Sequence, residues 1–598
     1  MPSVNYSVFM TAQNVDRYGK TAEDIAQVVS DLKDIGAGMV FLEVWRGAMQ
    51  AKRECLIALR DACEAADIET GTGIMPVRGR DIILDGSTQW DSDQALGGNS
   101  RWGADLCYSR PWTRQTLKDT MQFGAGLFDT FIIDDALCTQ CTCPRCRENK
   151  GDRSWSQFRC DLLVDVSHEE LVAACREVNP NIKMILKFPQ WYDRLHEYGY
   201  DTERQPALFD ATWIGTETRD PDTPEFGHVP QYEGAFNVRW HGEAEPNLEG
   251  SWFDSYDCDS AIYVEQAYQS VLGGSRQLTL FCYDKRLFRG NGPYLSALKT
   301  SQPRLETLGA RLDSQTPVGI TTVRPHNPVP GADGYVFDGL GMIGFPLVPT
   351  AEWPQEHPSA LLVTSHLADD PNLTTYVSEV VSKGGTVFVT AALLELKDTD
   401  EEFKTLAGYG EDGWAQSTPW TATTWTVGDQ QIGSDTPASM RFDLRPSTAE
   451  VLAHGGATAH WRTEWIPVVT WKEHESGGAV VVLNVCGADS GDFPMHETLN
   501  VPIVLSMQLY PTRVINVMQQ QIAQALGCGF LTPAKVAVYP FSGGDVVIQN
   551  FTDTTVTVTP IGEPFAADAK EHLGFADLVA GEGSPSLSLP PRTAALVG

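Results

Sequence analysis

The chain has 598 residues and a mass of 65.6 kDa, more than one hydrophobic core usually supports, so we expect roughly two to four domains. A hydrophobic content of 42% excludes a disordered chain. The 78 acidic and 44 basic residues give a formal net charge of −34, which disfavours binding to nucleic acid or anionic membranes and favours a neutral or cationic substrate.

The first half of the chain alternates short apolar runs with amphipathic patterns, which is typical of parallel β/α architecture. Eight strands are predicted, at residues 7–10, 39–45, 69–76, 131–134, 183–188, 211–215, 250–253 and 277–282. Helical patterns such as residues 53–66 and 154–178 lie between them. This count predicts an α/β fold that begins with a (β/α)8 TIM barrel.

Polar and aromatic residues follow several of these strands. Because TIM barrels carry their sites at the C-terminal strand ends, we interpret these residues as parts of a substrate site. The predicted substrate-binding residues are Trp45, Arg46, Asp134, Lys187, Trp191, Arg219 and Asp257. Tryptophans also occur near these ends, at Trp45, Trp191, Trp213, Trp240 and Trp252. Since aromatic faces pack on the apolar side of pyranose rings, the group favours a carbohydrate substrate.

The stretch 130–146, TFIIDDALCTQCTCPRC, joins a predicted strand, two carboxylates and four cysteines. The spacing Cys141-x-Cys143-x-x-Cys146 is too cramped for ordinary disulfides and suits thiolates that converge on one tetrahedral metal. Cys138 or a distant cysteine would complete the set. The alternative is that the cysteines are buried thiols and that Asp134 and Asp135 only cap the next turn.

From about residue 317 the pattern changes. Strands at 335–337, 360–365 and 385–390 and a helix at 373–383 predict a second, flavodoxin-like α/β domain. Residues 418–485 indicate further strands, 503–526 are predicted to be largely helical, and the tail from 536 alternates like a small β-sandwich. We therefore predict domains at 1–314, 315–533 and 534–598.

The run Gly339 to Gly344 has the G-x-G-x-x-G spacing of dinucleotide sites, and a predicted strand precedes it. The fingerprint also requires a following helix, which Pro346 and Pro349 disfavour, so a glycine-rich turn is predicted instead. The N-terminus lacks a basic and apolar leader pattern, and no stretch approaches a membrane span. We expect a soluble, cytoplasmic chain.

Upstream of the cysteine stretch, residues 105–114 read DLCYSRPWTR. Together with Cys141, Cys143 and Cys146 they resemble the loops after the third and fourth strands of family 42 glycoside hydrolases, the multidomain β-galactosidases. The resemblance implies a structural zinc bound by these three cysteines and Cys107, with Cys138 as the rival fourth ligand. It also implies a barrel, a flavodoxin-like trimerisation domain and a small β-domain, and hence a homotrimer.

The sequence departs from that family at the catalytic acids. The family has Asn-Glu after its fourth strand, where this chain has Asp134-Asp135, so Asp135 is expected to be the acid/base. The negative charge of Asp134 is expected to raise its pKa. The family's nucleophilic Glu after the seventh strand has no match, and Asp254 and Glu217 compete for the second role, with Asp257 as a further alternative.

Two carboxyl groups are what glycosidic cleavage requires. We therefore predict a glycoside hydrolase acting on a small neutral oligosaccharide or glycoside. The alternative is a non-catalytic carbohydrate-binding or assembly protein on the same scaffold. A metal-dependent hydrolase is disfavoured, because the sequence has no His-x-His after the first strand and four thiolates would leave the metal no open position.

Overall fold

The computed structural model describes residues 3–47, 49–75, 106–134, 137–223, 228–290, 292–459, 462–489, 504–566, 568–579 and 585–598. These residues form two compact units. The first comprises Met1–Val229 and Ala244–Gly309, and the second comprises Pro230–Glu243, Ala310–Asp492 and Val501–Gly598, taken over the described residues.

The first unit contains a closed barrel of parallel strands. Its members are β1 (Asn5–Met10), β2 (Ala37–Arg46), β3 (Glu69–Met75), β4 (Thr130–Ile133), β5 (Lys183–Phe188), β6 (Ala211–Gly215), β7 (Leu248–Asp254) and β8 (Gln277–Phe281). Each strand pairs in parallel with the next along the chain, and β8 pairs with β1 to close the barrel. All eight predicted strands are confirmed. The short strand Met49–Gln50 pairs antiparallel with the end of β2.

Helices alternate with these strands. They are α1 (Ala12–Tyr18), α2 (Ala22–Ile35), α3 (Arg53–Glu64), α4 (Pro111–Ala125), α5 (Pro144–Lys150), α6 (Trp155–Val166), α7 (Ala174–Val178), α8 (Leu195–Tyr198), α9 (Glu233–Ala244), α10 (Ser260–Gly273) and α11 (Tyr294–Leu312). The π-helical segment Ser167–Ala173 joins α6 to α7. Most of α9 is counted with the second unit. Helix α2 shows the local signals clearly, since Thr21 caps its first turn and Gly36 ends it at a φ of 74°.

Large side chains fill the barrel interior. Phe9, Phe41, Trp213 and Trp252 form a buried cluster with smaller residues of β4, β5 and β6. Trp213 and Trp252 are each only 2% exposed, so their rings belong to the core. Packing in the core does not favour direct contact with a sugar, and the expectation that these two tryptophans help to form a sugar-binding group at the strand ends stays a prediction.

The second unit contains a mixed nine-stranded sheet. Its strands are β9 (Ile320–Val323), β10 (Leu347–Thr350), β11 (Ala360–Val363), β12 (Thr386–Thr390), β13 (Trp414–Val427), β14 (Gln430–Arg445), β15 (Glu450–Ala459), β16 (Arg462–Glu473) and β17 (Ala479–Leu483). The order is β10-β9-β11-β12-β17-β16-β15-β13-β14, and the first five strands are parallel. This parallel order is the flavodoxin-like one, so the predicted layering is confirmed.

The helices of this unit after α11 are α12 (Val336–Gly341), α13 (Leu373–Ser382), α14 (Ala391–Leu396), α15 (Glu401–Ala407) and α16 (Thr512–Leu526). The predicted strand at 335–337 is wrong, because these residues enter α12. A short apolar run buried on all sides does not distinguish strand from helix. The glycines that follow lie in and after that helix, and a Cβ at Gly341 would overlap the ring of Tyr232. Close packing explains this glycine. A dinucleotide fingerprint requires a helix that follows the glycines, whereas here the helix contains Gly339 and Gly341 and ends before Gly344.

The C-terminal strands are β18 (Gly529–Leu531), β19 (Val536–Pro540), β20 (Val546–Asn550), β21 (Val556–Ile561), β22 (Asp577–Val579), β23 (Ser586–Leu589) and β24 (Thr593–Val597). They form a four-stranded sheet, β18-β21-β23-β22, and a three-stranded sheet, β19-β20-β24. Both contribute to one core that includes Val538, Ile548, Val558 and Leu587. The predicted β-sandwich is confirmed. Within the described part of the chain, no helix is long and apolar enough to cross a membrane.

Candidate active site and metal centre

Four buried carboxylates lie at the C-terminal strand ends of the barrel. Glu43 is near the end of β2, Asp134 follows β4, Glu217 lies two residues after β6, and Asp254 ends β7. None of them is more than 4% exposed. Buried carboxylates require cationic or hydrogen-bonding partners, and each of these contacts an Arg or Lys side chain.

Arg46 links the carboxylates of β2 and β4. Its Nε donates to Oε2 of Glu43 at 2.8 Å, and its Nη2 donates to Oδ2 of Asp134 at 2.9 Å. The guanidinium lies 5.2 Å from the ring centroid of Phe281 at the end of β8. Arg46 was predicted to orient substrate, and in this structure its hydrogen bonds hold two carboxylates of the protein.

Lys187, on β5, links the carboxylates after β4 and β6. Its Nζ lies 2.8 Å from Oε1 of Glu217 and 3.6 Å from Oδ1 of Asp134. The side chain is 1% exposed and also lies 5.2 Å from the ring centroid of Trp252. Because Lys187 and Arg46 share Asp134, the five residues Glu43, Arg46, Asp134, Lys187 and Glu217 form one continuous ion-pair chain, which we call the mouth chain.

The residue Gly215 makes room for Glu217. A Cβ at this last position of β6 would overlap Oε2 of Glu217. The side-chain amide of Gln190, just after β5, lies 3.4 Å from the backbone carbonyl of Glu217. The carboxylate of Glu217 therefore occupies space that any residue with a side chain at position 215 would take.

Asp254 is held by a separate pair of contacts. Arg219 donates to both of its oxygens, from Nε at 3.2 Å and from Nη2 at 2.7 Å, and the backbone amide of Tyr256 donates to Oδ1 at 3.0 Å. Arg219 adopts a left-handed φ of 56°, and Asp257 a φ of 42°. The carbonyl of Asp257 accepts from the amide of Asp220, which ties the loop after β7 to the loop after β6.

The two tryptophans predicted to contact substrate are nearly covered. The indole of Trp45 donates to the carbonyl of Gly47 at 2.5 Å. Trp191 packs edge-on against Tyr198 and Tyr200, with ring centroids 5.2 and 5.7 Å away. Trp240, the remaining tryptophan of that group, is fully buried on α9. Substrate contact by Trp45 and Trp191 stays a prediction.

Asp135, the predicted acid/base, lies outside the described residues. Its neighbour Asp134 is contacted by two cations, Arg46 and Lys187. The negative charge of Asp134 is therefore itself paired with two cations, and the expected raised pKa of Asp135 stays a prediction.

Glu43 was not among the residues predicted to act in the site. Its Oε2 also accepts from the backbone amide of Ala12 at 2.8 Å, and Oε1 has no hydrogen-bond partner among the described residues. Burial raises the pKa of the Glu43 carboxyl to about 7, although Arg46 lowers it. The available signal was the polar ending Glu43-Val44-Trp45-Arg46 of β2. Only the closed barrel brings this ending to Asp134.

Cys107, Cys141, Cys143 and Cys146 form a compact thiol cluster, with all four Sγ atoms within 4.8 Å of one another. Sγ of Cys107 is 3.6 Å from that of Cys143 and 3.6 Å from that of Cys146. A tetrahedral Zn–S₄ site with bonds of about 2.3 Å has S–S edges of about 3.8 Å, so this donor set fits a zinc ion or a similar soft metal. Cys138 is buried but is not in the cluster.

The cluster lies on the segment that follows the β4 carboxylates. Phe158, Trp155 and Leu162 pack against it from α6. In the same segment, Thr139 donates from its backbone amide to Tyr198 and from its hydroxyl to Leu106, next to Cys107. A metal held here by four thiolates would have no open position, so it would brace the segment after β4 and not activate water.

One family model matches the part of the chain that holds these sites. Residues 2–293 match the family model "Probable glycosyl hydrolase, catalytic domain". The matched domain therefore contains the barrel, the four mouth carboxylates and the cysteine cluster. The chain is also 21% identical over 377 residues to an uncharacterized protein of Saccharolobus solfataricus, SSO3021, across 58% of this chain. The match spans about 60% of that relative's length.

Solved structures of glycosidases share the fold along the whole chain. A catalytic mutant of Gan42B, a GH42 β-galactosidase from G. stearothermophilus, gives a TM-score of 0.62 at 11% identity, covering 100% of this chain and 99% of that one. The α-L-fucosidase isoenzyme 2 from Paenibacillus thiaminolyticus gives 0.62 at 10% identity, and the β-galactosidase from the psychrophilic Marinomonas ef1 gives 0.60 at 9%, each covering 99% of both chains. The chain thus has the multidomain fold of GH42-like proteins, and identities this low establish the fold alone.

Proposed function

We propose that the chain is a glycoside hydrolase that cleaves a glycosidic bond in a small oligosaccharide or glycoside. The observation that carries the proposal is the set of buried carboxylates after β4, β6 and β7, at the strand ends where TIM barrels hold their sites. These lie in a domain that matches a probable glycosyl hydrolase model. Two carboxyl groups are sufficient for the reaction, one to protonate the leaving oxygen and one to attack the anomeric carbon or activate water.

We assign the acid/base role to Asp135, the second residue after β4, because the resembling family has its acid/base Glu at this place. The mouth chain supports this role indirectly. Arg46 and Lys187 both contact Asp134, the residue that precedes Asp135 in the chain. On the other side, the cysteine cluster restrains the same segment from residue 141 onward.

Asp254 and Glu217 remain the two candidates for the second carboxyl group. Asp254 occupies the end of β7, as the resemblance favours, but Arg219 engages both of its oxygens and competes with substrate for them. Glu217 shares Lys187 with Asp134, which draws it toward the β4 side of the mouth. Asp257 has a backbone contact to Asp220 and is the weaker alternative.

The first test is turnover. The purified chain is expected to hydrolyse at least one member of a panel of nitrophenyl glycosides and natural oligosaccharides. Asp135→Asn should lower kcat on substrates with poor leaving groups by about 10²–10⁴-fold, because it removes the general acid. The loss should shrink with activated leaving groups, which hardly need a proton. An Asp135→Asn variant that folds and hydrolyses an unactivated substrate at the wild-type rate would rule out this role.

The second carboxyl group is identified by comparing Glu217→Gln with Asp254→Asn on the same substrates. Loss of the nucleophile or general base slows activated and unactivated substrates alike, because leaving-group quality does not replace the attacking group. The variant that shows this uniform loss identifies the residue. If neither variant does, both assignments are wrong.

A non-catalytic carbohydrate-binding protein is the second candidate. One observation favours it: every described mouth carboxylate contacts a cation, as in a purely structural ion-pair set. Titration calorimetry discriminates the two, since a binding protein would take up a sugar from the panel without turning it over.

A further inference from the structure

The mouth chain connects four barrel strands through shared cations. Arg46 is bonded to Glu43 and Asp134, and Lys187 contacts Asp134 and Glu217. The contacts within it measure between 2.8 and 3.6 Å, and its members are buried or nearly so. Charges this close in a buried site do not act independently, because the low local polarisability strengthens each interaction.

Glu43 lies at one end of the mouth chain. Like Glu217 at the other end, it contacts one cation of the chain, here Arg46, whereas Asp134 contacts two. Among these five residues there are three carboxylates and two cations, so the chain is neutral only when one carboxyl group holds a proton. Glu43 is fully buried and its Oε1 has no partner among the described residues, so its ionised form is poorly compensated.

We propose that Glu43 is a positioning residue of the active site: through Arg46 it controls how firmly Asp134 is held, and so the alignment of the carboxyl groups after β4 and β6. This inference rests on the proposed glycoside hydrolysis. When Glu43 is neutral, Arg46 interacts mainly with Asp134. When Glu43 ionises, it competes for the same guanidinium and adds an uncompensated charge to the mouth chain.

Among the described residues, the groups that act on Glu43 come from its own strand, from the segment after β4 and from α1. On its own strand it meets Arg46, from the segment after β4 it meets the charge of Asp134, and from α1 it meets the backbone amide of Ala12. Arg46 in turn packs near the rings of Phe9 and Phe281, which carry no charge. Burial outweighs Arg46 and raises the pKa of Glu43 to about 7, within the range of a pH–rate profile.

The test is the pH profile of kcat and KM for wild type and Glu43→Gln on a substrate from the panel. Gln keeps an oxygen that accepts from Ala12 and Arg46 but cannot ionise. Wild-type kcat is expected to fall as pH rises through about 7, by up to about tenfold at pH 8, since one unit above its pKa about a tenth of a carboxyl group stays protonated. In Glu43→Gln the step near pH 7 should disappear, which leaves only the decline that the general acid of the reaction itself imposes, and KM should change little in either protein.

The matched control is Glu306→Gln. Glu306 accepts from the amides of Ser3 and Val4 at the start of β1, at the opposite end of the barrel. Its removal takes away a carboxylate bonded to backbone amides but should leave the wild-type profile intact. Arg46→Met is the second variant. Because it cuts the link between Glu43 and Asp134, the step near pH 7 should also disappear there, and it carries the test if Glu43→Gln does not fold.

A Glu43→Gln or Arg46→Met profile that keeps the wild-type step near pH 7 overturns the inference. Absence of wild-type turnover on every glycoside overturns the proposed function instead. The pH dependence of stability then tests whether Glu43 titrates in the folded protein. A carboxyl group whose folded pKa is raised from about 4.5 to about 7 holds a proton that the unfolded chain releases, so wild-type stability should fall as pH rises between these values. Equal falls in wild type and Glu43→Gln would show that Glu43 does not titrate there and would overturn the inference independently of activity.

Discussion

At the scale of single residues, the contacts of Lys187 and Arg46 differ from the contacts that their positions in the sequence suggest. Lys187 and Arg46 are cations at strand ends, which in sequence indicates substrate orientation. In the structure each one bridges two carboxylates of the protein. Burying an ion pair is costly, and removing one partner leaves an uncompensated charge. The bridging lysine is therefore important for stability as well as for the site.

Lys187→Met is expected to lower the free energy of unfolding by roughly 3–5 kcal/mol, because Asp134 and Glu217 lose the cation they share in a buried site. Urea denaturation at pH 7 measures the change. Lys183→Met, on the same strand, is the matched control. Lys183 pairs with Glu249 on the surface, where such a pair contributes about 0–1 kcal/mol. Equal losses in the two variants would contradict the bridging role of Lys187.

At the scale of elements, residues 137–143 after β4 show how a loop without regular structure is held in place. Thr139 donates two hydrogen bonds, to Tyr198 and Leu106, and four thiols meet a few residues later. Cys107 enters from the loop before α4, so the cluster connects the loops after β3 and β4. A metal bound there would cross-link two loops that border the carboxylates.

Metal analysis is expected to find about one zinc per chain, in the four-thiolate geometry of structural sites. Cys107→Ser should lose the metal, because it removes one of four converging Sγ atoms, whereas Cys138→Ser should keep it, since Cys138 lies outside the cluster. Atomic absorption on the purified variants measures both. A fully active protein without metal would refute the structural role, and metal loss in Cys138→Ser would refute the ligand assignment.

At the scale of the whole molecule, the second unit combines a flavodoxin-like parallel sheet with a long antiparallel extension. Strands β13 and β14 are 14 and 16 residues long, and many of their side chains are exposed. The C-terminal sandwich is fixed within the same unit by Arg311, which donates to both oxygens of the buried Asp545.

We predict a homotrimer assembled through this unit. The expectation depends on the architectural resemblance and is tested by light scattering coupled to size exclusion, which should give about three times the mass of one chain, 65.6 kDa. A monomer mass at micromolar concentration would refute it.

The local sequence pattern determines much of the fold and the cysteine cluster of this protein. Eight runs of buried β-forming residues alternating with amphipathic helices specify a parallel barrel, and cysteine spacing indicates a metal cluster, because both depend on periodicity and short-range geometry. The strand predicted at 335–337 failed because three apolar residues carry no period. Which charges meet in the mouth could not be derived from the chain, since Glu43, Asp134 and Glu217 are up to 174 positions apart. Only closure of the barrel brings them to the two cations they share. The roles of Glu43 and Lys187 are therefore tertiary properties, set by which side chains share a small volume without water.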